Sequence, residues 1–236
     1  LDPDGKGPIN PFRLGKPSHP KFTYDDGFLG KTPTYTPQVR KPEFGDYASY
    51  SWWGIKTGVA TVVRWDLGNA LSAYRHFRGA SAKNFTFDLP DYYDDDDSGK
   101  KLLTNATNIA KKSAQELLKK SGNIKMTSEG FAVGGGDARF PYPDTEDWQK
   151  AIGAFNFWMS ADVSATEKKG VITYTMKLTI HAEDKYNFNP GMQDIATGTP
   201  DDANGTFELT GLGKQFMQNG TSTHTIKWSV KTQTTP

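Results

Sequence analysis

The chain has 236 residues, 35% of them hydrophobic and 13% aromatic, which is enough to bury one core or one core with a smaller lobe. Its formal charge is only +1, from 28 basic and 27 acidic residues, so the overall charge indicates neither nucleic acid nor an anionic membrane as a partner. Cysteine is absent, which excludes disulfides, a thiol nucleophile and thiolate metal sites. No apolar run reaches the roughly 18 residues of a transmembrane segment.

The first 45 residues are rich in proline, in short phrases such as Lys16-Pro17 and His19-Pro20. Proline fixes φ and has no N–H to donate, so this segment is expected to be extended and irregular. We interpret residues 1–45 as a leader or linker and residues 46–236 as one domain.

Two amphipathic helices are predicted in the first part of that domain, residues 46–124. Apolar residues recur at helical spacing from Val59 to Phe77, and a second helix is predicted from Asn105 to Lys120, with basic residues near its C-terminus. Between them, the acidic run Asp94 to Asp97 is expected to be a solvated loop, because like charges repel each other, with calcium binding as the alternative.

The second part of the domain, residues 125–236, is predicted to be mainly β. Alternating or β-branched residues and intervening turn signals indicate four strands, at 125–133, 154–163, 171–182 and 222–231. A loop from Asn189 to Gly205 and a short helix from Leu209 to Met217 are predicted before the last strand. The order of elements predicts an α+β fold, with N-terminal helices followed by a curved antiparallel β-sheet or half-barrel.

Polar side chains are concentrated at the end of the third strand, where Asp184, Lys185, Tyr186, Asn187 and Asn189 follow one another closely. An acid, a phenol and two amides beside a buried strand are typical of a site. The alternative is structural, because Asp and Asn often form turns at strand ends and Tyr186 can belong to the core. The same alternative applies to His181 and His224, which are predicted on strands whose ends could approach this motif.

The phrase Asp184-Lys185-Tyr186-Asn187-Phe188-Asn189 resembles the colicin M family, bacteriocins whose catalytic domain attacks lipid II, the membrane-anchored peptidoglycan precursor. That family carries Asp-x-Tyr-Asp within Asp-Lys-Tyr-Asp-Phe-Asn, followed by His-Arg. Further similar phrases occur in family order across roughly residues 60–235, among them Ala70-Leu71-Ser72-Ala73-Tyr74 and Leu212-Gly213-Lys214-Gln215-Phe216.

The resemblance implies a colicin M-like fold and a secreted antibacterial toxin that acts in the periplasm of a target bacterium. It implies a Mg²⁺-dependent enzyme that hydrolyses the bond between undecaprenyl and pyrophosphate, and a cognate immunity protein as partner. Mg²⁺ suits this chemistry because it neutralises the diphosphate leaving group.

Asp184 and Tyr186 match the family motif, whereas Asn187 replaces its second acid and Gln193 and Asp194 fall near the place of His-Arg. Three explanations remain open: Asn187 is an inactivating substitution, the acid or base has moved to another residue, or the fold has lost this hydrolysis. The candidate catalytic residues are therefore Asp184, Tyr186, Asn187, Asp194, His181 and His224. The candidate substrate-binding residues are Lys185, Asn189 and Gln193. The candidate metal ligands are Asp184, Asp201 and Asp202.

The first five residues, Leu1-Asp2-Pro3-Asp4-Gly5, resemble the Asp-Pro-x-Gly signature that precedes the toxic tip of RHS-type polymorphic toxins; a plain Pro-Asp-Gly turn is the alternative. Two other functional classes stay open. One is a non-enzymatic toxin module that binds a membrane or receptor through the aromatic segment Tyr47 to Trp65. The other is a secreted structural or carbohydrate-binding β domain.

Overall fold

The computed structural model describes residues 10–29, 39–193 and 200–232. Asp194 and the Leu1–Gly5 phrase lie outside these ranges. Within them, helices precede most of the sheet along the chain, so the predicted α+β order is confirmed, and the sheet is open rather than closed.

Six α-helices occur in the described ranges, and their bounds are as follows: α1 Phe44–Val63, α2 Gly68–Arg78, α3 Leu89–Asp95, α4 Asp97–Leu117, α5 Glu146–Ala151 and α6 Asp202–Thr210. The described strands are β1 Phe12–Leu14, β2 Phe85–Thr86, β3 Gly122–Ser128, β4 Phe131–Ala132, β5 Asn156–Lys168, β6 Val171–Tyr186 and β7 Phe216–Lys231. They form one sheet in the order β1-β3-β5-β6-β7-β2, with β4 beside β5, and the β2–β7 pair is parallel whereas the others are antiparallel.

The centre of the sheet is a long hairpin of β5 and β6. Lys169 and Gly170 turn the chain with positive φ values of 51° and 71°, the conformation that a two-residue hairpin requires. Along β6 the even-numbered residues are buried and the odd-numbered ones more exposed, as the sequence predicts. The alternation is visible as far as Ala182, and the last four residues of the strand are half-buried. The strand itself continues to Tyr186, so the polar motif is its end.

The prediction of one helix from Val59 to Phe77 is wrong, because two helices, α1 and α2, occupy this range. The chain leaves helical geometry at Arg64 (φ −118°, ψ 61°) and makes a 3₁₀ turn at Trp65–Leu67 between α1 and α2. The helix predicted from Leu209 to Met217 is also misplaced. The observed helix, α6, ends at Thr210 and is capped by Gly211, which has a left-handed φ of 72°. Strand β7 then begins at Phe216, where the sequence predicts helix.

The acidic run from Asp94 to Asp97 is not the solvated loop that the sequence predicts. Asp96 is fully buried between α3 and α4, where it caps α4 by accepting from the Ser98 N–H at 2.9 Å. The same carboxylate accepts from the backbone and hydroxyl groups of Thr145, both at 2.8 Å. These donors replace water, so like-charge repulsion does not decide the structure here.

Two clusters of buried apolar residues occur in the described part of the chain. The larger lies between α3, α4 and the buried face of the sheet. The smaller lies between α1, α2, α6 and the ends of β6 and β7, around Phe77, Phe207 and Phe216. The polar motif therefore lies where the smaller cluster meets the sheet.

Residues 10–29, called here the N-terminal arm, pack against the body. Phe12 is buried and β1 extends the sheet beside β3. Beyond β1 the arm is irregular, as its prolines predict, and ends in a 3₁₀ turn at Gly27–Leu29. No helix in the described ranges is long and apolar enough to cross a bilayer.

Candidate active site

A cleft of about 730 Å³ opens at the end of β6. It is bounded by the motif, the N-terminal arm, α1, α2, the start of β5 and the start of α6. The candidate site residues that line it are Asp184, Lys185, Tyr186, Asn187, Asn189, Gln193 and Asp201. The structure thus brings most of the candidates that it describes to one cavity.

Asp184 projects from the core-facing side of β6, directly opposite Gln218 on β7. The Gln218 amide donates to the Asp184 carboxylate at 3.1 Å and to the Ala151 carbonyl at 3.0 Å, which fixes its orientation. Burial, with a smaller contribution from the negative charge of Asp25, raises the pKa of Asp184 to about 7 despite the hydrogen bonds from Gln218 and the Lys185 N–H, which lower it. A carboxyl group with this pKa can accept or release a proton near neutral pH.

Tyr186 lies two residues further along the same face. Its ring stacks on Phe216 with centroids 4.9 Å apart and meets the edge of Phe188 at 5.6 Å. Burial and nearby negative groups raise its pKa, so the phenol stays protonated. Its hydroxyl has no hydrogen-bond partner among the described residues, which leaves it available to a molecule in the cleft.

Asn187 is bound by the N-terminal arm. Its side-chain amide donates to the Asp25 carboxylate at 2.6 Å and to the Asp25 carbonyl at 3.2 Å. The arm passes so close that a Cβ at Gly27 would lie 2.2 Å from the Phe188 carbonyl oxygen, and Gly27 has a φ of 51°. Asp25 therefore brings a carboxylate to Asn187.

The odd-numbered residues at the end of β6 also contact the N-terminal arm. Lys185 pairs with Asp26 at 2.5 Å. Glu183 accepts from the Tyr24 hydroxyl at 2.5 Å and lies 2.6 Å from the His19 ring nitrogen. These contacts hold the arm across the end of the strand, and with it Asp25.

The loop after the motif is joined to α6. The Asn189 N–H donates to the Asp201 carboxylate at 3.1 Å, and Gln193 forms an isolated β-bridge with Pro200. Asp202 is exposed in the first turn of α6 and does not line the cleft. Asp201 is therefore nearer to the site than Asp202.

The structure does not bring the two candidate histidines to the cleft. His181 has the opposite parity to Asp184, so it faces away, stacked on Trp158 at 3.8 Å and close to Ser160. His224 pairs with Leu178, six residues and thus about 20 Å along the strand from Asp184. Burial lowers the pKa of both imidazoles, so both are held towards the neutral form.

Glu208 is a further acid that contacts the motif, and it is not among the candidates predicted from the sequence. It is buried on α6 and accepts from the Phe188 N–H and the Gln215 amide, both at 2.9 Å. Burial raises the pKa of Glu208 to about 7, against these two hydrogen bonds. The sequence gives little indication of this role, because Glu208 becomes recognisable as a buried acid only once the bounds of α6 are known.

No family model and no curated protein matches the sequence. Two solved bacteriocin structures are similar to this chain. PaeM, a colicin M-like bacteriocin from Pseudomonas aeruginosa, has a TM-score of 0.40 and 12% identity over 70% of this chain and 52% of its own. Truncated syringacin M from Pseudomonas syringae pv. tomato DC3000 has a TM-score of 0.38 and 13% identity over 71% of this chain and 61% of its own. The chain thus spans about half to three fifths of these proteins.

Basic side chains also line the cleft. Lys56 of α1 lies 4.4 Å from the centroid of the Trp53 ring, and Lys150 of α5 pairs with Glu146 at 2.7 Å. Together with Lys185, these residues supply positive charge of the kind that binds phosphate groups.

The described ranges contain no group of three or more His, Asp or Glu residues arranged to hold a metal ion. The lining of the cleft nevertheless includes two carboxylates, those of Asp25 and Asp184. Mg²⁺ is commonly bound through one or two carboxylates together with phosphate oxygens of the substrate. The residues present therefore fit a Mg²⁺ ion that arrives with a diphosphate.

Proposed function

We propose that the chain is the toxin domain of a secreted antibacterial protein and hydrolyses lipid II or a related polyprenyl diphosphate. The observation that carries the proposal is Asp184, a carboxyl group with a pKa of about 7 at the wall of the cleft, beside Asp25 and the unpartnered phenol of Tyr186. The motif's resemblance to the colicin M family supports the choice of substrate.

In the proposed reaction the ionised Asp184 accepts a proton from water as the water oxygen bonds to phosphorus. The bond between phosphorus and the polyprenyl oxygen breaks, and protonated Asp184 returns its proton to that oxygen, so the products are the polyprenol and the diphosphate head group. Tyr186 donates a hydrogen bond to a phosphoryl oxygen, and the cationic groups of Lys56 and Lys150 bind the diphosphate.

Asp25 and Asp184 would hold Mg²⁺, which supplies neutralisation of the diphosphate charge when it is bound. Under this proposal Asn187 positions Asp25 through its amide, so the second acid comes from the arm and not from the motif. The proposal is thus a form of the hypothesis that the acid has moved to another residue, but the residue is Asp25, which is not among the candidates predicted from the sequence.

The remaining parts of the proposal follow from the substrate. Lipid-linked precursors present their head groups in the periplasm, so the toxin acts there, and a producing cell needs an immunity protein. Delivery as the tip of an RHS-type toxin belongs to the same proposal and rests on residues 1–5 alone.

A second candidate function is a non-enzymatic toxin module that binds a membrane. The exposed large apolar residues of α1 favour it, because they occur within the aromatic segment from Tyr47 to Trp65. This candidate requires no chemistry at Asp184.

The test is incubation of the purified protein with lipid II and Mg²⁺, with product analysis for undecaprenol and the diphosphate head group. We expect turnover by the wild type and its loss in Asp184→Asn, which keeps the shape of the side chain. Asp162→Asn, at an exposed carboxylate of β5, is the matched control and should retain activity. Absence of product from the wild type, or full activity in Asp184→Asn, contradicts the proposal.

Expression in the periplasm and in the cytoplasm of a susceptible bacterium separates the two candidates. Lysis that occurs only in the periplasm and requires Asp184 supports the enzyme. Lysis that survives Asp184→Asn, together with dye leakage from liposomes, supports the membrane module instead.

A further inference from the structure

Helix α1 leaves most of its apolar side chains in solvent. Its buried residues are Asp46 and Thr57. Its exposed large apolar residues, called here the apolar stripe, are Phe44, Tyr47, Trp52, Ile55, Val59, Val62 and Val63. Phe44 and Val62, near the two ends of α1, are 90% and 81% exposed. A whole row of large apolar side chains exposed on one helix is unusual.

The exposed residues share one face of the helix. Ile55 and Val62 follow Phe44 by about three and five helical turns, and Trp52, Val59 and Val63 lie within about a quarter turn of that line. The stripe therefore runs along the whole of α1, a length of about 30 Å. Trp65, which is 88% exposed, lies just beyond its end.

Basic groups flank the stripe on both sides. Lys56 lies at one edge, over the Trp53 ring, and Arg75 of α2 reaches the Thr61 hydroxyl at the other. Residues 39–78 contain six basic and three acidic residues, so the region is positive although the rest of the chain is net acidic. Two of those acids, Asp46 and Asp66, pair with Arg40 and Arg64, so four basic residues and one acid of the region lie outside these two pairs.

An apolar face bordered by cations is complementary to an anionic lipid surface, where the apolar groups enter the acyl boundary and the cations meet the head groups. The overall charge of +1 conceals this local asymmetry. A second copy of the chain fits less well, because two positive regions would be brought together.

The opposite face of α1 forms a wall of the cleft through Trp53, Thr57 and Ala60. The helix thus separates the apolar stripe from the candidate active site by about one helix diameter, roughly 10 Å. A protein resting on the stripe would hold its cleft near the level of lipid head groups.

We propose that the apolar stripe of α1 docks onto an anionic lipid bilayer, with the helix in the plane of the head groups, and thereby places the cleft beside a membrane-embedded substrate. The purpose of the docking rests on the proposed hydrolysis. The binding itself does not, since it requires no substrate.

The experiment is co-sedimentation with vesicles of phosphatidylcholine, with and without about one third phosphatidylglycerol. The test variant is Ile55→Ser/Val62→Ser. The matched control is Leu14→Ser/Val230→Ser, which changes exposed apolar residues of β1 and β7. We expect the wild type and control to bind the anionic vesicles, more weakly at high salt, and the test variant to lose at least about tenfold in partitioning. Circular dichroism verifies that all three proteins are folded.

Absence of wild-type binding, or equal binding by the test and control variants, overturns the proposal. Sedimentation velocity is run in parallel. If the wild type is a dimer, the test variant is a monomer and neither binds vesicles, the stripe is instead a self-association surface.

Hydrolysis is measured on a water-soluble short-chain polyprenyl diphosphate and on lipid II in vesicles. The test variant should keep the first activity and lose most of the second. Vesicle binding by a wild type that hydrolyses neither substrate rejects the proposed function and leaves the docking intact.

Discussion

The side-chain amide of Asn187 donates to the Asp25 carboxylate at 2.6 Å, joining positions 162 residues apart. This contact places an acid of the N-terminal arm beside the end of β6, next to Asp184. It gives Asn187 a carboxylate partner from the arm and leads to the first prediction.

Replacing Asp25 tests whether the arm contributes to catalysis. We expect Asp25→Asn to lower kcat/KM by about 10²-fold or more, because one of the two carboxylates is lost. The exchange Asp25→Asn/Asn187→Asp keeps an amide opposite a carboxylate and should recover most of the activity. Asp162→Asn is the control, because it breaks only an exposed pair with Lys125 away from the cleft. Wild-type activity in Asp25→Asn contradicts the proposed role.

The pH dependence of hydrolysis should report Asp184. As a base the group must be ionised, so kcat/KM should fall below an apparent pKa of about 7. In Asp25→Asn the midpoint should move to lower pH, because the negative charge that helps to raise the pKa of Asp184 is removed. The measurement is a pH profile of kcat/KM for both proteins, and an unchanged midpoint would argue against electrostatic coupling of the two acids.

Stability should fall as pH rises from about 4 to about 7. The native state holds protons on Asp184 and Glu208 whereas the unfolded chain has released them, since burial raises both native pKa values to about 7. The loss is on the order of 3 kcal/mol per group. Denaturant unfolding at pH 5 and pH 8 should show this loss in the wild type and a smaller one in Glu208→Gln. The same pH dependence in both proteins would count against the raised pKa of Glu208.

Asp96 should be among the most important polar residues for stability. Although burial alone would raise its pKa, hydrogen bonds from Ser98, Thr145 and Asp144 lower it. We expect Asp96→Ala to cost about 3 kcal/mol of unfolding free energy, because buried donors lose their acceptor. Asp97→Ala, at the exposed neighbour, should cost much less. Equal losses in denaturant unfolding would contradict the burial of Asp96.

Removal of the Tyr186 hydroxyl should separate activity from stability. Since this hydroxyl has no partner among the described residues, Tyr186→Phe should leave the melting temperature nearly unchanged and lower kcat by about tenfold or more. Tyr174→Phe is the contrasting control. Its buried hydroxyl donates to the Leu118 carbonyl at 2.8 Å, so this change should destabilise the protein. Unchanged turnover in Tyr186→Phe would show that the phenol is structural.

Local patterns in the sequence were sufficient for the long strands of the sheet, but not for the short strands β1, β2 and β4. Two-residue alternation predicts β6 and β7, and the Lys169-Gly170 turn predicts the hairpin that joins β6 to β5. Helix boundaries were less predictable, because the break at Arg64 and the shifted α6 depend on contacts that periodicity does not contain.

The candidate site was predictable only where it is local. Asp184 and Tyr186 share a face of one strand, whereas His181 differs in parity and therefore faces away. Asp25 gave no signal, because it lies in an irregular arm and meets Asn187 only in the tertiary structure.

Because Asp25 belongs to the N-terminal arm, the pair of acids that it forms with Asp184 depends on the arm being in place. The Asp25 carboxylate lies far upstream of Asp184, which belongs to the last quarter of the sequence, so a nascent or unfolded polypeptide keeps the two acids far apart. The pair is therefore assembled only after the hairpin has formed and the arm has closed over it. Any chemistry that depends on both acids begins with the completed fold and ends when the arm is released.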